Sequence, residues 1–183
     1  MNPNLITALR IGLLAPLYGL LAFGGPDQRW WALAVFLLAG LTDIVDGRVA
    51  RSTGRTSASG AMLDLLADRL LTLVTLAALV QVQAISGLFV IAALVLIGRD
   101  LLVATLEAAL PGRLGITVSL VEKFKVALQF VGMALLIAPP VWTLDGFIDQ
   151  YELGLGALAV SAAMACLTLF DYAARAAAAF RKG

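Results

Sequence analysis

The chain has no histidine, a single cysteine and few charged residues, and each shortage narrows what it can be. Without histidine there can be no histidine-ligated metal site and no histidine general base. Zinc chemistry and serine triads are therefore excluded, and carboxylates are left as the available bases. The one thiol, Cys166, lies in an apolar run and excludes an intramolecular disulfide framework. Charged residues make up 14% of the chain, whereas a soluble domain has about 25%.

What the chain has in excess is apolar sequence. Apolar residues make up 61% of its 183 positions, and its mean hydropathy is +0.96. The first predicted apolar span ends before Gly24. Further spans follow, each close to the roughly 20 residues that a helix needs to cross a bilayer. These further spans are 32–46, 61–82, 87–108, 120–138 and 153–178. Because Pro3 and Asn4 suit a helix start, a short interfacial helix should run into the first span. The predicted fold is an all-α integral membrane protein with six transmembrane helices and this short N-terminal interfacial helix, in one domain over 1–183.

The distribution of basic residues orients the predicted spans. With the N-terminus in the cytoplasm, most of the lysines and arginines fall on the cytoplasmic side: Arg48, Arg51, Arg55, Arg113, Lys123, Lys125, Arg181 and Lys182. The opposite loops then contain Arg29 as their only basic residue, together with the acidic residues Asp27, Asp145, Asp149 and Glu152. This asymmetry follows the positive-inside rule. The expected location is the cell (inner) membrane, which the chain would cross several times.

Four aspartates stand in two pairs, Asp43/Asp46 and Asp64/Asp68, within apolar sequence. If both flanks are helical, the spacings i,i+3 and i,i+4 place each pair on one helix face. Two antiparallel helices would then turn both pairs toward one point, which we expect to open to the cytoplasm. Like charges repel, and ionisable groups at membrane depth cost a few kcal/mol each. Bound divalent cations would offset both the repulsion and the cost of charge at membrane depth. Four carboxylates suit two Mg²⁺ or Mn²⁺ ions, an arrangement used in phosphoryl displacement. Structural salt bridges with nearby arginines are the alternative.

The stretch around these acids has the pattern Asp43-x2-Asp46-Gly47-x2-Ala50-Arg51-x8-Gly60-x3-Asp64-x3-Asp68. It resembles the complete signature of the CDP-alcohol phosphotransferases, with all eight positions filled. The resemblance implies a membrane enzyme that transfers a phosphatidyl or similar group from a CDP-linked donor to an alcohol and releases CMP. It also implies a homodimer, and no nucleic-acid partner is expected.

The same resemblance assigns roles to residues of this stretch. The aspartates would hold two metal ions, Mg²⁺ or Mn²⁺, and Asp68 would be the general base that takes the proton of the acceptor hydroxyl. The implied CDP-binding residues are Asp46, Gly47, Ala50, Arg51 and Gly60.

Four cations are candidates for binding the acceptor, because Lys and Arg are the usual phosphate ligands: Arg99, Arg113, Lys123 and Lys125. Alternatively, the lysines simply follow the positive-inside bias, and Arg99 pairs with Asp100 or Glu107. The run Glu122-Lys123-Phe124-Lys125-x3-Gln129 resembles a stretch of the family's phosphatidylglycerophosphate synthases. Glu122 and Val126, however, replace a glycine and a threonine there. The N-terminal Pro3-Asn4-x2-Thr7-x2-Arg10 also resembles those enzymes and the cardiolipin synthases of the family.

The leading hypothesis is a metal-dependent phosphatidyltransferase that condenses CDP-diacylglycerol with sn-glycerol 3-phosphate, giving phosphatidylglycerophosphate and CMP. Its rival within the family is a cardiolipin synthase that takes phosphatidylglycerol as acceptor. Acids inside a membrane also mark ion pathways, so a divalent-metal transporter is a hypothesis from another class. It leaves Gly47, Ala50, Arg51 and Gly60 without a reason at their positions. The intact acids argue against a catalytically dead scaffold.

Overall fold

The computed structural model describes the backbone of residues 3–53, 58–109, 120–140, 143–144 and 148–181. It describes the side chains of residues 8–42, 66–106, 120–140, 149–170 and 172–173. In these ranges the chain is almost entirely helical, as predicted. The helices are α1 (Pro3–Phe23), α2 (Arg29–Thr53), α3 (Ala58–Gln81), α4 (Phe89–Ala109), α5 (Leu120–Ile137) and α6 (Gln150–Arg181). A 3-10 turn, Pro26–Gln28, precedes α2, and an antiparallel pair of two-residue strands, β1 (Thr143–Leu144) and β2 (Ile148–Asp149), precedes α6.

The helices end where the sequence offers turn residues. Gly25 is extended and Pro26 stands at the first position of the 3-10 turn, where its missing N–H is no loss. Between α3 and α4, Gly87 has φ +56°, a left-handed conformation that glycine adopts without steric cost. At the N-terminus the predicted helix start at Pro3 and Asn4 is confirmed, because α1 begins at Pro3 and runs without a break to Phe23. The interfacial placement of its first turns stays a prediction.

Among the residues whose side chains are described, two helices are long and apolar enough to cross a membrane. The qualifying stretches are Phe89–Leu106 in α4, with mean hydropathy 2.2, and Gln150–Phe170 in α6, with mean hydropathy 2.1. In α1 a shorter apolar stretch covers Ala8–Phe23. Large apolar side chains also stand exposed on α6, among them Leu167 and Phe170 at 71% and 76%. Exposed apolar surface of this kind marks an interaction with lipid or protein. These features are consistent with a membrane protein, and six spans remain a prediction.

The chain divides into two compact units. The first contains α1, α2 and α3, with α1 packed against both other helices and α2 in contact with α3. Its core includes Leu17, Phe36 and Leu76, which are fully buried. The second unit contains α4, nearly all of α5, and α6, with α4 packed against α6. Leu96 and Ala165 lie in its core.

Within the second unit, α5 and α6 approach closely at a glycine. A Cβ on Gly132 would stand 3.0 Å from the carbonyl oxygen of Gly154, 3.1 Å from the Cβ of Ala157 and 3.2 Å from the Cγ of Leu158. Real Cβ atoms rarely come so near to backbone, so the missing side chain lets the helices pack at this distance. The Gln150 side chain fixes the same helices further along, because its amide donates to the carbonyl oxygen of Leu135 at 2.9 Å.

Candidate active site and the Arg99 cluster

The signature residues lie on two neighbouring helices of the first unit. Those from Asp43 to Arg51 fall within α2, and those from Gly60 to Asp68 fall within α3. The helical context that the spacing argument needs is therefore present. Along a 3.6-residue helix, i,i+3 and i,i+4 neighbours share a face, so each aspartate pair occupies one face of its helix.

Of the signature side chains, the structure describes only that of Asp68, which is exposed. The convergence predicted for the acids falls on Asp43, Asp46 and Asp64, whose side chains lie outside the described residues. The predicted CDP-binding contacts of Gly47, Ala50, Arg51 and Gly60 lie outside them as well. In the part of the chain with described side chains, no three His, Cys, Asp or Glu residues group as a metal site.

The side chains of α2 and α3 offer the kind of ligand that the implied Mg²⁺ or Mn²⁺ ions require. The acidic residues of the two helices offer carboxylate ligands, and the chain has no histidine to compete with them. Carboxylate oxygens are the ligands that Mg²⁺ and Mn²⁺ prefer. The residues present on α2 and α3 therefore fit such ions by their chemistry.

The second unit contains a buried charged group that we call the Arg99 cluster: Arg99, Asp100, Glu122, Lys125, Thr168 and Tyr172. The guanidinium donates from Nη1 to Asp100 Oδ1 at 3.1 Å and from Nη2 to Glu122 Oε2 at 2.7 Å. Lys125 Nζ lies 3.2 Å from Asp100 Oδ1 and 3.4 Å from Glu122 Oε1. Each carboxylate thus bridges the same two cations.

Side chains of α6 complete the cluster. Arg99 Nη2 also reaches Thr168 Oγ1 at 3.4 Å, and the guanidinium lies over the Tyr172 ring, 5.0 Å from its centroid. Ser161 donates to the backbone oxygen of Lys125 at 3.1 Å, which ties the start of α5 to α6. Three helices therefore hold the arginine in one position.

The cluster is nearly closed to solvent. The Arg99 and Lys125 side chains are 2% and 1% exposed, against 12% for Asp100 and 15% for Glu122. Charges this deeply buried need partners, because an isolated one would pay a large desolvation cost. Two carboxylates match two cations here, so the four charges sum to zero.

The four predicted acceptor-binding residues are placed differently. Arg99 and Lys125 come together in the cluster, whereas the Lys123 side chain is exposed. Arg113 lies outside the described residues. The alternative pairing of Arg99 with Asp100 is observed, and the Glu107 side chain is outside the described set. Their binding roles stay predictions.

Sequence reasoning missed Glu122, Thr168 and Tyr172 as partners of Arg99. In the sequence, Glu122 stands out only as a departure from a motif. One local signal was available, because Glu122 and Lys125 stand at i,i+3 on a helix. Nothing local pointed to the α6 residues.

Exposed apolar helix surfaces, together with acids in apolar sequence, are features of a membrane protein with a functional polar site. A sequence model of the CDP-alcohol phosphatidyltransferase family matches residues 1–172. The chain therefore belongs to the CDP-alcohol phosphatidyltransferase family, as the signature predicted.

The curated relatives include glycerol-3-phosphate phosphatidyltransferases and cardiolipin synthases. A CDP-diacylglycerol–glycerol-3-phosphate 3-phosphatidyltransferase of Cereibacter sphaeroides is 31% identical over 137 residues, covering 73% of this chain and 62% of the relative. One of the same name from Pseudomonas fluorescens is 35% identical over 154 residues, covering 79% of this chain and 78% of the relative. A cardiolipin synthase (CMP-forming) of Streptomyces coelicolor is 41% identical over 80 residues, covering 42% of this chain and 37% of the relative. The match thus spans slightly under two thirds of the first relative.

Proposed function

We propose that this protein transfers a phosphatidyl group from CDP-diacylglycerol to sn-glycerol 3-phosphate, giving phosphatidylglycerophosphate and CMP. The observation that carries the proposal is the signature of eight residues, which lies on the two adjoining helices α2 and α3. The relatives named as glycerol-3-phosphate phosphatidyltransferases support this acceptor.

In the proposed reaction, the acceptor hydroxyl oxygen forms a bond to the β-phosphorus of the donor, and the bond from that phosphorus to CMP breaks. Asp68 takes the hydroxyl proton as general base, for which its exposed side chain is accessible. Asp43, Asp46, Asp64 and Asp68 would hold two divalent ions. When bound, such ions neutralise diphosphate charge and stabilise leaving CMP. Arg51 would bind the donor phosphates, and Gly47, Ala50 and Gly60 would leave room for the CDP moiety.

For the acceptor, the proposal assigns the phosphate of glycerol 3-phosphate to Arg99 and Lys125, with Arg113 and Lys123 as further candidates. The buried guanidinium is planar and offers paired donors that match phosphate oxygens. The protein would work as a homodimer in the inner membrane, through six spans, with its aspartates open to the cytoplasm.

A second candidate function is cardiolipin synthesis with phosphatidylglycerol as acceptor. The observation that favours it is the charge balance of the Arg99 cluster, in which Asp100 and Glu122 already neutralise both cations. A cluster without net positive charge attracts a phosphate monoester less than an excess of cations would. The cardiolipin synthase among the relatives adds to this candidate.

One assay separates the two candidates. The full chain, purified in detergent, is given CDP-diacylglycerol and Mg²⁺, and CMP release is followed with glycerol 3-phosphate or phosphatidylglycerol offered separately. Release only with glycerol 3-phosphate supports the first function, and release only with phosphatidylglycerol supports the second. Release with neither contradicts both and directs the search to other acceptors, then to metal flux in liposomes.

The role of Asp68 is tested by Asp68→Asn. Removing a general base costs about 10²–10⁴ in rate, so CMP release should fall by at least a hundredfold. The melting temperature should hardly change, because the side chain is exposed. Asp27→Asn, an exposed acid in the 3-10 turn, is the matched control and should keep wild-type turnover. Transfer that persists in Asp68→Asn would remove Asp68 from the base role.

A further inference from the structure

Arg99 has hydrogen-bonding capacity that its present partners do not use. Both terminal nitrogens donate to described side chains, whereas the buried Nε has no hydrogen-bond partner in the described part of the chain. Leaving a buried donor unsatisfied costs about 1–3 kcal/mol. A spare donor on a side chain that is only 2% exposed is therefore available to another acceptor group.

Glu122 makes the contacts that a phosphate group would make in this cluster. One carboxylate oxygen lies 2.7 Å from the guanidinium of Arg99, and the other lies 3.4 Å from the ammonium of Lys125. A phosphate ester offers the same arrangement, with two or three oxygens on one centre. Carboxylate and phosphate would therefore compete for the same two cations.

Among the partners of Arg99, Glu122 is also the acid best placed to move away. It stands in the first turn of α5, and its side chain keeps 15% exposure. Asp100 is adjacent to Arg99 in sequence, and a single oxygen of it serves both cations. A glutamate has three rotatable side-chain bonds, so its carboxylate can turn outward without backbone movement.

The arginine would keep its position if Glu122 turned away. Asp100 and Thr168 still accept from it, and the Tyr172 ring still faces it at 5.0 Å. The two cations and Asp100 would then carry one net positive charge. A preorganised cation pair with one excess charge is a binding site for an anion.

We propose that Glu122 is an internal counter-ion that competes with the acceptor's phosphate for Arg99 and Lys125, and so determines the affinity for anionic acceptors. This inference rests on the proposed function, since it names the group that the acceptor must displace. The ligand is a phosphate-ester oxyanion, supplied either by a soluble phosphomonoester or by the phosphodiester of a lipid headgroup. Glu122 is thus a specificity-determining residue.

The test compares Glu122→Gln with the wild-type protein in the CMP-release assay. The glutamine keeps the shape and an acceptor oxygen but removes the competing charge. The KM for glycerol 3-phosphate should fall at least about tenfold, which corresponds to losing roughly 1.4 kcal/mol of charge-assisted competition, while kcat stays within about twofold. Glu122→Asp restores the charge and should bring KM back toward the wild-type value. Glu152→Gln, an exposed acid in the first turn of α6, is the matched control and should leave KM unchanged.

A second measurement does not depend on turnover. The thermal stabilisation of each variant is titrated with inorganic phosphate, and the midpoint for Glu122→Gln should lie about tenfold lower than for the wild-type protein. If Glu122→Gln does not fold, Glu122→Ser takes its place, because a short side chain lets water reach Arg99. If Glu122→Gln lowers the KM for phosphatidylglycerol alone, the site binds the lipid phosphodiester. If it lowers the KM for glycerol 3-phosphate alone, the site binds the soluble monoester.

Unchanged KM and phosphate midpoint in a folded Glu122→Gln variant would overturn the inference and make the carboxylate a structural ion pair. That result is distinct from failure of the proposed function, in which the wild-type protein itself releases no CMP with either acceptor. In that case the phosphate titration alone decides: a lower midpoint in Glu122→Gln supports the inference, and an equal one overturns it.

Discussion

Replacing Lys125 with methionine should destabilise the protein strongly, because it removes one cation from a buried group of four balanced charges. The ammonium lies 3.2 Å from Asp100 Oδ1 and 3.4 Å from Glu122 Oε1, and the lysine side chain is 1% exposed. Methionine retains most of the aliphatic stem, so little packing is lost. What remains is Arg99 facing two carboxylates, with one negative charge left uncompensated.

The magnitude follows from that uncompensated charge. Removing one partner of a buried ion pair costs about 3–5 kcal/mol. The carboxylates of Asp100 and Glu122 keep 12% and 15% exposure, which admits some water and favours the lower end, about 3 kcal/mol. For a chain of this size 1 kcal/mol shifts the melting temperature by roughly 2–4 °C. The expected fall is therefore about 6–12 °C.

The assay is thermal unfolding of the full chain in detergent, followed by circular dichroism. Lys123→Met is the matched control, because that lysine is exposed on the same helix and should change stability by no more than about 0.5 kcal/mol. The double variant Lys125→Met/Glu122→Gln removes one charge of each sign and should recover part of the loss, since contacting residues are coupled. A melting temperature for Lys125→Met within about 2 °C of that for Lys123→Met would refute the reasoning.

Two further predictions concern helix packing and metal dependence. Gly132→Leu should lower the melting temperature by an amount equivalent to about 1–3 kcal/mol, because its Cβ would meet the Gly154 carbonyl at 3.0 Å. Gly156→Leu is the control and should not lower it, because nothing lies within 4 Å of a Cβ there. Equal melting temperatures of the two variants would contradict the close approach of α5 and α6. Chelation with EDTA should stop CMP release, and added Mg²⁺ or Mn²⁺ should restore it, because carboxylates on α2 and α3 are the proposed metal ligands. Undiminished CMP release in EDTA would remove the metals from the mechanism.

Sequence patterns located the helices well where turn residues bound them. The fifth span was predicted as 120–138 and is Leu120–Ile137, before Pro139-Pro140. The second was placed at 32–46, whereas α2 runs from Arg29 to Thr53. The predicted span ended in the first acid pair, yet charged residues do not stop a helix as proline does. The two-residue strands β1 and β2 were missed, since such short segments carry no alternating pattern.

Family membership was also predictable from the sequence, because the signature lies within a short stretch from Asp43 to Asp68. Within each half of the signature, the aspartates stand three or four residues apart. The helix period alone determines that residues at this spacing share one face. The convergence of the acids and the metals they would hold stay predictions.

The sequence by itself determined the helical class, most helix boundaries and the family, because each depends on residues close together along the chain. Only the tertiary structure decided what Arg99 contacts. Its partner Glu122 lies 23 positions away and Thr168 lies 69 positions away, and no local period relates residues so distant. Their meeting depends on how α4, α5 and α6 pack. That packing places two carboxylates against two cations, a charge balance that the order of residues in the sequence did not reveal.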